Sequence, residues 1–333
     1  MTRAHMADRR VPMAAAALLA GLAGAWMQPA PTARLVVGKG LQEPFAVAFD
    51  ADGQMFVAQM GGNRVGVWDG TVLRTLPAAF KGPHHLLASS DGVIYVADTW
   101  NHMVRGIDPS SGVVTRVAGT GVKGFGGDGG PARDAQFGGV YAIDIAGGTL
   151  YVADLDNRRI RAIDITTGLV RTVAGNGETG VPVDGQLALG QPLVDPRAVA
   201  VDAAGNIYIC ERGGHALRVV DRSGRIRTVA GTGEAGFSGD GGPARRATFR
   251  GPKHISVDAD GSVLITDTEN HVIRRFVPET GRVERVAGTG EPGAAGIGGP
   301  ATSLQLSRPH GAIRHRGAIY IADSDNHRVV AIG

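Results

Sequence analysis

Short apolar runs alternate with turns of Gly, Asp and Asn along nearly the whole chain. Within residues 82–121, GPHHLLASSDGVIYVADTWNHMVRGIDPSSGVVTRVAGTG, four such runs fall at about 84–89, 93–98, 103–108 and 113–118. Each is rich in Val, Ile, Leu or Tyr and bounded by Gly, Asp, Asn or Ser, which is how short β-strands read. The same parts recur in the same order. The opening residues are Pro44, Pro83, Gly139, Pro196, Pro252 and Pro309, spaced 39, 56, 57, 56 and 57 apart, so there are six units. VADTWNH at 96–102 returns as VADLDNR (152–158), ITDTENH (265–271) and IADSDNH (321–327), with degenerate copies VAQMGGNR (57–64) and ICERGGH (209–215).

A period of this length decides architecture before any single residue does. Four-stranded units repeated radially predict an all-β fold, a six-bladed β-propeller. A linear array would want polar caps on its end units, and none is visible. The sixth unit stops at Gly333, after its third strand, HRVVAIG. An unassigned strand, RLVVGKG at 34–40, matches the fourth strands RTVAGNG (171–177) and RTVAGTG (227–233). The N-terminal strand is therefore expected to complete the last blade against about 328–332, which removes an open sheet edge.

The pattern P-x-x-φ-x-φ-D-x-x-G-x-φ-Y-φ-A-D-x-x-N-x-R/H-φ and the VAGTG…GDGGPA linkers resemble the NHL-repeat β-propellers over residues 34–333. The resemblance implies the fold. It does not imply a chemistry, because propellers host many.

Residues 1–33 read differently. Arg3, Arg9 and Arg10 precede an apolar stretch at 11–27, and QPAPTA follows. That is the layout of a secretory signal, short and Ala-rich for a membrane span. The expectation is an exported protein, periplasmic or extracellular, cleaved between residues 25 and 33, with no stable membrane span afterwards.

Net charge is +3, and no basic run occurs outside the leader. Nucleic-acid binding is not expected without a clustered basic face. The single cysteine, Cys210, lies in the apolar run NIYICE, so it reads as a buried hydrophobe and no internal disulfide can form.

Four linkers carry inserts, at 122–137, 178–195, 234–250 and 291–308. Pro131, Pro243 and Pro300 fall where a first helical residue belongs. Asp128 and Asp240 lie just upstream and are expected to bond local backbone, since neither loop gathers the oxygens calcium wants. The link between units 1 and 2 has no insert, which leaves a gap in the rim beside Pro83, His84 and His85.

The inner strands begin at the channel mouth. One place past each opening residue stand Phe45, His84, Val140, Arg197, Lys253 and His310; two places past stand Ala46, His85, Tyr141, Ala198, His254 and Gly311. His84, His85, Tyr141, Arg197, Arg212, Lys253, His254 and His310 are the candidate ligand-binding residues. Imidazoles suit zinc or another divalent metal, whereas Arg197 repels a cation and can hold an anion. Strict strand alternation sends His84 and His85 to opposite faces. Asp98, Asp154, Asp267 and Asp323, each with an Asn three residues on, recur too regularly to mark a site and read as turn-bonding devices.

Pro83-His84 and Pro309-His310 are similar to the motif with which the peptidylamidoglycolate lyase propeller opens alternate blades. The resemblance implies zinc on His84 and His310 and a catalytic role for Arg212. Arg197 stands where its third histidine falls, and DLDNR where its tyrosine stands, so the activity does not carry over. For a gluconolactonase-like calcium site only Glu43 is near a matching place. Two readings follow: a binding module for a small ligand or protein partner at the loop-bearing face, or a metal-dependent lyase or hydrolase using His84 and His310, with His85 or His254 as third ligand.

Overall fold

The period-2 alternation of each repeat folds into one antiparallel meander. In a computed structural model, which describes Met1 and residues 30–333, there are six four-stranded sheets. Blade 2 runs Pro83–Ala88, Ile94–Asp98, Met103–Ile107 and Val114–Ala118, each bound within one residue of the run read from sequence. The inner strand of each blade packs on the next, and that of blade 6 returns to blade 1. The molecule is thus a six-bladed β-propeller. The leader expectation falls largely on residues 2–29, outside the described residues.

The ring closes as the missing strand required. Ala33–Val37 pairs antiparallel with Arg328–Ile332, in the register Ala33 to Ile332 through Val37 to Val329. This strand starts one residue earlier than read and stops short of Gly38–Gly40, where Gly40 turns with φ 81°. Thr32 and Gly333 exchange backbone bonds of 3.1 and 3.2 Å, and the Pro31 carbonyl accepts from Ala301 at 2.9 Å. Residues 31–33 therefore already make propeller contacts.

The recurring aspartates are latches. Asp98, Asp154, Asp267 and Asp323 are fully buried. Each accepts the linker backbone N–H that leads into its own blade, from Lys81, Gly138, Arg250 and Ser307, at 2.7–2.8 Å. Each also accepts from the Asn three residues on, at 2.8 Å. Burial outweighs these bonds and lifts the Asp154 and Asp267 carboxyls to about 6. Replacing Asp267 with Ala leaves the Arg250 N–H and the Asn270 amide short of an acceptor. The expected loss is about 1–3 kcal/mol in urea unfolding; an unchanged midpoint would remove the latch role.

A second device was not read from the sequence. The residue after each Asn position, namely Asn63, His102, Arg158, His215, His271 and His327, is left-handed, with φ of 46–57°. Asn and His tolerate this region better than most side chains. From there Asn63 reaches Gly82, His215 reaches Gly251, His271 reaches Arg308 and His327 reaches Glu43, each accepting a backbone N–H at 2.7–3.1 Å. Every one of these four bonds staples a blade to the next.

The linker expectations need two corrections. The helical pieces are single 3-10 turns, Ala132–Asp134, Ala244–Arg246 and Ala301–Ser303, and Pro131 precedes its turn with ψ 130° instead of starting it. Asp128 and Asp240 do not serve local backbone. They pair at 2.7 Å with Arg161 and Arg274, both fully buried, because a guanidinium out of water needs a counter-charge. Cys210 is buried and unpaired, as read, and burial pushes its thiol up.

Candidate functional site

Each inner strand meets the channel at its first residues, and there the alternation breaks. The pairing shifts register between Pro83 and His85, and likewise between Pro44 and Ala46, Val140 and Ala142, and Pro196 and Ala198. An extra residue on one strand re-aims its neighbours. His84 and His85 do not aim the same way, as expected, but both reach the channel, in different chambers.

The mouth chamber holds about 240 Å³. It gathers His84, Tyr141, Arg197, Arg212, Lys253 and His310, six of the eight candidates, together with Phe45 and Met60. Glu43, Arg308 and Asp325 stand around it. His85 and His254 belong to the other chamber, about 660 Å³ on the far side of the channel. Their Nε2 atoms meet at 2.8 Å from diametrically opposed blades, so one ring donates and the other accepts. Burial keeps both neutral, with His85 lowered to about 3. No lining residue is shared by the two chambers.

Arg197 is the electrostatic oddity. Among the described residues five arginines are buried: Arg161, Arg197, Arg218, Arg274 and Arg328. Four of them pair with a carboxylate at 2.7 Å. Arg197, 4% exposed, pairs with none among the described residues. Its Nη1 donates to the Tyr141 carbonyl at 3.4 Å, and its guanidinium sits 4.6 Å over the Tyr141 ring. Burial, foremost, lowers it to about 10.

The other cations are compensated. Lys253 bonds Glu269 at 2.8 Å, Arg308 bonds Glu269 at 2.9 Å and Arg212 bonds Asp195 at 3.0 Å. Burial still brings Lys253 down to about 8, against the pull of Glu269. Burial and the nearby cations hold His84 and His310 well below the ordinary imidazole range, so both are neutral at pH 7. His84 Nδ1 donates to the Gly82 carbonyl at 2.7 Å, which leaves Nε2 as an acceptor. Ser324 Oγ gives its proton to the Pro44 carbonyl, so His310 Nδ1 must be the donor toward Arg308 and Ser324, at 2.9 Å each. His310 Nε2 then accepts from Lys253 at 3.4 Å.

These residues do not fit the expected zinc. Among the described residues no three His, Cys, Asp or Glu side chains converge for a metal. Phe45 lies against both histidines, stacked at 3.7 Å on His310 and 5.0 Å from His84. His85 and His254, the expected third ligands, are bonded to each other in the other chamber. Phe45 and Trp100 were not among the candidates. Phe45 read only as an apolar opening residue, and Trp100, 5.8 Å from His84, replaces what is Asp or Glu in blades 3, 5 and 6.

The rim has an open side. The four inserts border blades 2 to 6, whereas the links on either side of blade 1, residues 38–43 and 76–82, carry none. The gap expected beside His84 thus extends around blade 1 to the His310 side.

No protein-family model matches the chain. The protein SUPPRESSOR OF QUENCHING 1 of Arabidopsis thaliana is 29% identical over 263 residues, covering 75% of this chain and 24% of its own length. The NHL repeat-containing protein 2 of Gallus gallus is 26% identical over 306 residues, covering 81% of this chain and 41% of its own. The chain thus spans well under half of these curated relatives. Among solved structures, an auxiliary nutrient-binding protein of Bacteroides thetaiotaomicron superposes with a TM-score of 0.68 at 14% identity, over 90% of this chain and 76% of that one. A virginiamycin B lyase of Staphylococcus aureus superposes with 0.55 at 14% identity, over 91% and 98%. Those likenesses carry the fold. The six repeats, the six-bladed ring and the NHL repeat-containing relatives support an NHL-repeat propeller family.

Proposed function

We propose that the propeller is a binding module that takes a small anionic ligand at the loop-bearing mouth of its channel. The observation that carries this is Arg197, a buried guanidinium without a carboxylate in a fold that pairs its four other buried arginines. An uncompensated buried charge is costly, and a bound anion removes the cost. Lys253 stands beside it on the neighbouring blade. That an auxiliary nutrient-binding protein shares the fold accords with a binding role, although at 14% identity it says nothing of this chain's ligand.

Lys253 sets the pH range. It faces Glu269, His310, Arg308 and Arg197, and it loses its proton as pH rises through about 8. Acetate affinity should hold steady from about pH 6 to 7.5 and fall by up to about tenfold per unit above 8. Calorimetric titration with acetate at fixed ionic strength reads this. A profile flat to pH 10 takes Lys253 out of the site; no saturable binding at any pH sinks the reading.

We further propose export, with a leader removed on the Ala25 side of the expected window. The support is the Pro31 and Thr32 backbone bonds, which processing after Ala33 would destroy. The intact mass of exported protein decides it: a mature chain starting at Trp26 fits, and one starting at Arg34 does not.

A further inference from the structure

The ring of opening residues divides in two. From blade 6 through blade 3 run His310, Phe45, His84 and Tyr141, and the mouth side of blades 4 and 5 is Arg197 and Lys253. The first four make one connected aromatic arc. Phe45 stacks on His310 at 3.7 Å with 10° between planes. His84 meets Phe45 edge-on at 5.0 Å and 82°, and Tyr141 at 4.8 Å and 69°. Trp100, 44% exposed, extends the arc outward from His84 at 5.8 Å. Gly82 keeps that place open, because a Cβ there would lie 2.5 Å from the Trp100 ring. The arc lies on the open side of the rim, around blade 1, where the links carry no insert.

We propose that the mouth selects a small aromatic carboxylate, its carboxylate against Arg197 and Lys253 and its ring against the arc of His310, Phe45, His84 and Tyr141. This rests on the anion-binding reading and names the ligand class within it. Size agrees: 240 Å³ holds about eight waters at ~30 Å³ each, which is the scale of a single-ring acid. Geometry agrees as well. Rings prefer edge-to-face or offset contacts, and His84 already stands edge-on between two of them, so an incoming ring continues the pattern. A carboxylate matches a guanidinium in the plane of its fork. The two histidines are neutral, so they present ring surface to the ligand instead of charge.

The test is a binding panel on the full chain at pH 7 and fixed ionic strength: benzoate, cyclohexanecarboxylate, acetate, inorganic phosphate and benzamide. Benzoate should bind about three- to tenfold tighter than cyclohexanecarboxylate, the margin an aromatic contact adds beyond buried area. It should exceed acetate by more, and uncharged benzamide should bind at least about tenfold more weakly than benzoate. Phe45→Leu should bring the ratio of benzoate to cyclohexanecarboxylate affinity, read within that variant, close to one; the unmodified protein's panel decides even if that variant does not fold. Equal affinity for benzoate and cyclohexanecarboxylate, or phosphate tighter than either, overturns the aromatic-acid inference and leaves the anion reading intact. Benzamide binding as well as benzoate, with no saturable acetate or phosphate signal, overturns the anion reading itself.

Discussion

Replacing Arg197 with Met raises the melting temperature of the ligand-free protein and abolishes anion binding. The two effects share one cause. A buried charge without a partner weakens the empty fold, and an apolar side chain of similar volume stabilises it by about 1–4 kcal/mol. In a ring of this size that is a rise of several degrees. The same change removes the charge that a bound anion pairs with, and losing one side of a buried charged pair costs about a hundredfold or more in affinity. Arg161→Met is the control. Arg161 is equally buried but held by Asp128 at 2.7 Å and Asp154 at 3.7 Å, so its loss takes the counter-charge from the buried Asp154 and lowers the melting temperature. Thermal unfolding and calorimetry of both variants suffice. An Arg197 variant that melts earlier and binds as before would make Arg197 a packing residue only.

Deleting residues 30–37 should destabilise the ring by about 5 kcal/mol or more. The deletion exposes the Arg328–Ile332 edge, strips its backbone partners at about 1 kcal/mol each, and removes the buried Val37, worth about 1.5–3 kcal/mol. The melting temperature should fall by about 10 °C or more. A peptide spanning residues 30–40, added in trans, should recover part of the loss by refilling the edge. A deletion variant with unchanged unfolding would mean that blade 6 stands without its fourth strand.

The blades were legible in the chain because a buried strand has to alternate, and six copies of one alternation average out the exceptions. The closing strand was legible because Gly333 follows a third strand and residues 34–40 match a fourth. That His84 and His85 both reach the channel, in different chambers, is something alternation cannot supply. A bulge is a property of two paired strands, here Pro83–Ala88 against Ile94–Asp98, and one strand alone does not announce it. The isolation of Arg197 was hidden too. The chain has nearly balanced charge, and only the fold reveals that Asp128, Asp240, Asp323 and Glu211 are spent on other arginines. The left-handed His215, His271 and His327 were within reach, since His or Arg follows the Asn position in most repeats.

The His85–His254 bond bears on traffic. A propeller channel is in principle a tube with two doors, but a pair of imidazoles joined across its waist turns this one into a cup. On the anion-binding reading, a ligand at Arg197 would then leave by the way it came. Exchange would be one molecule out before the next goes in, with no displacement from behind. A larger partner seated on the loop-bearing rim would act as a lid: it would lock in a ligand already present and shut out one that arrived late. Order of arrival, and not affinity alone, would decide which complex forms.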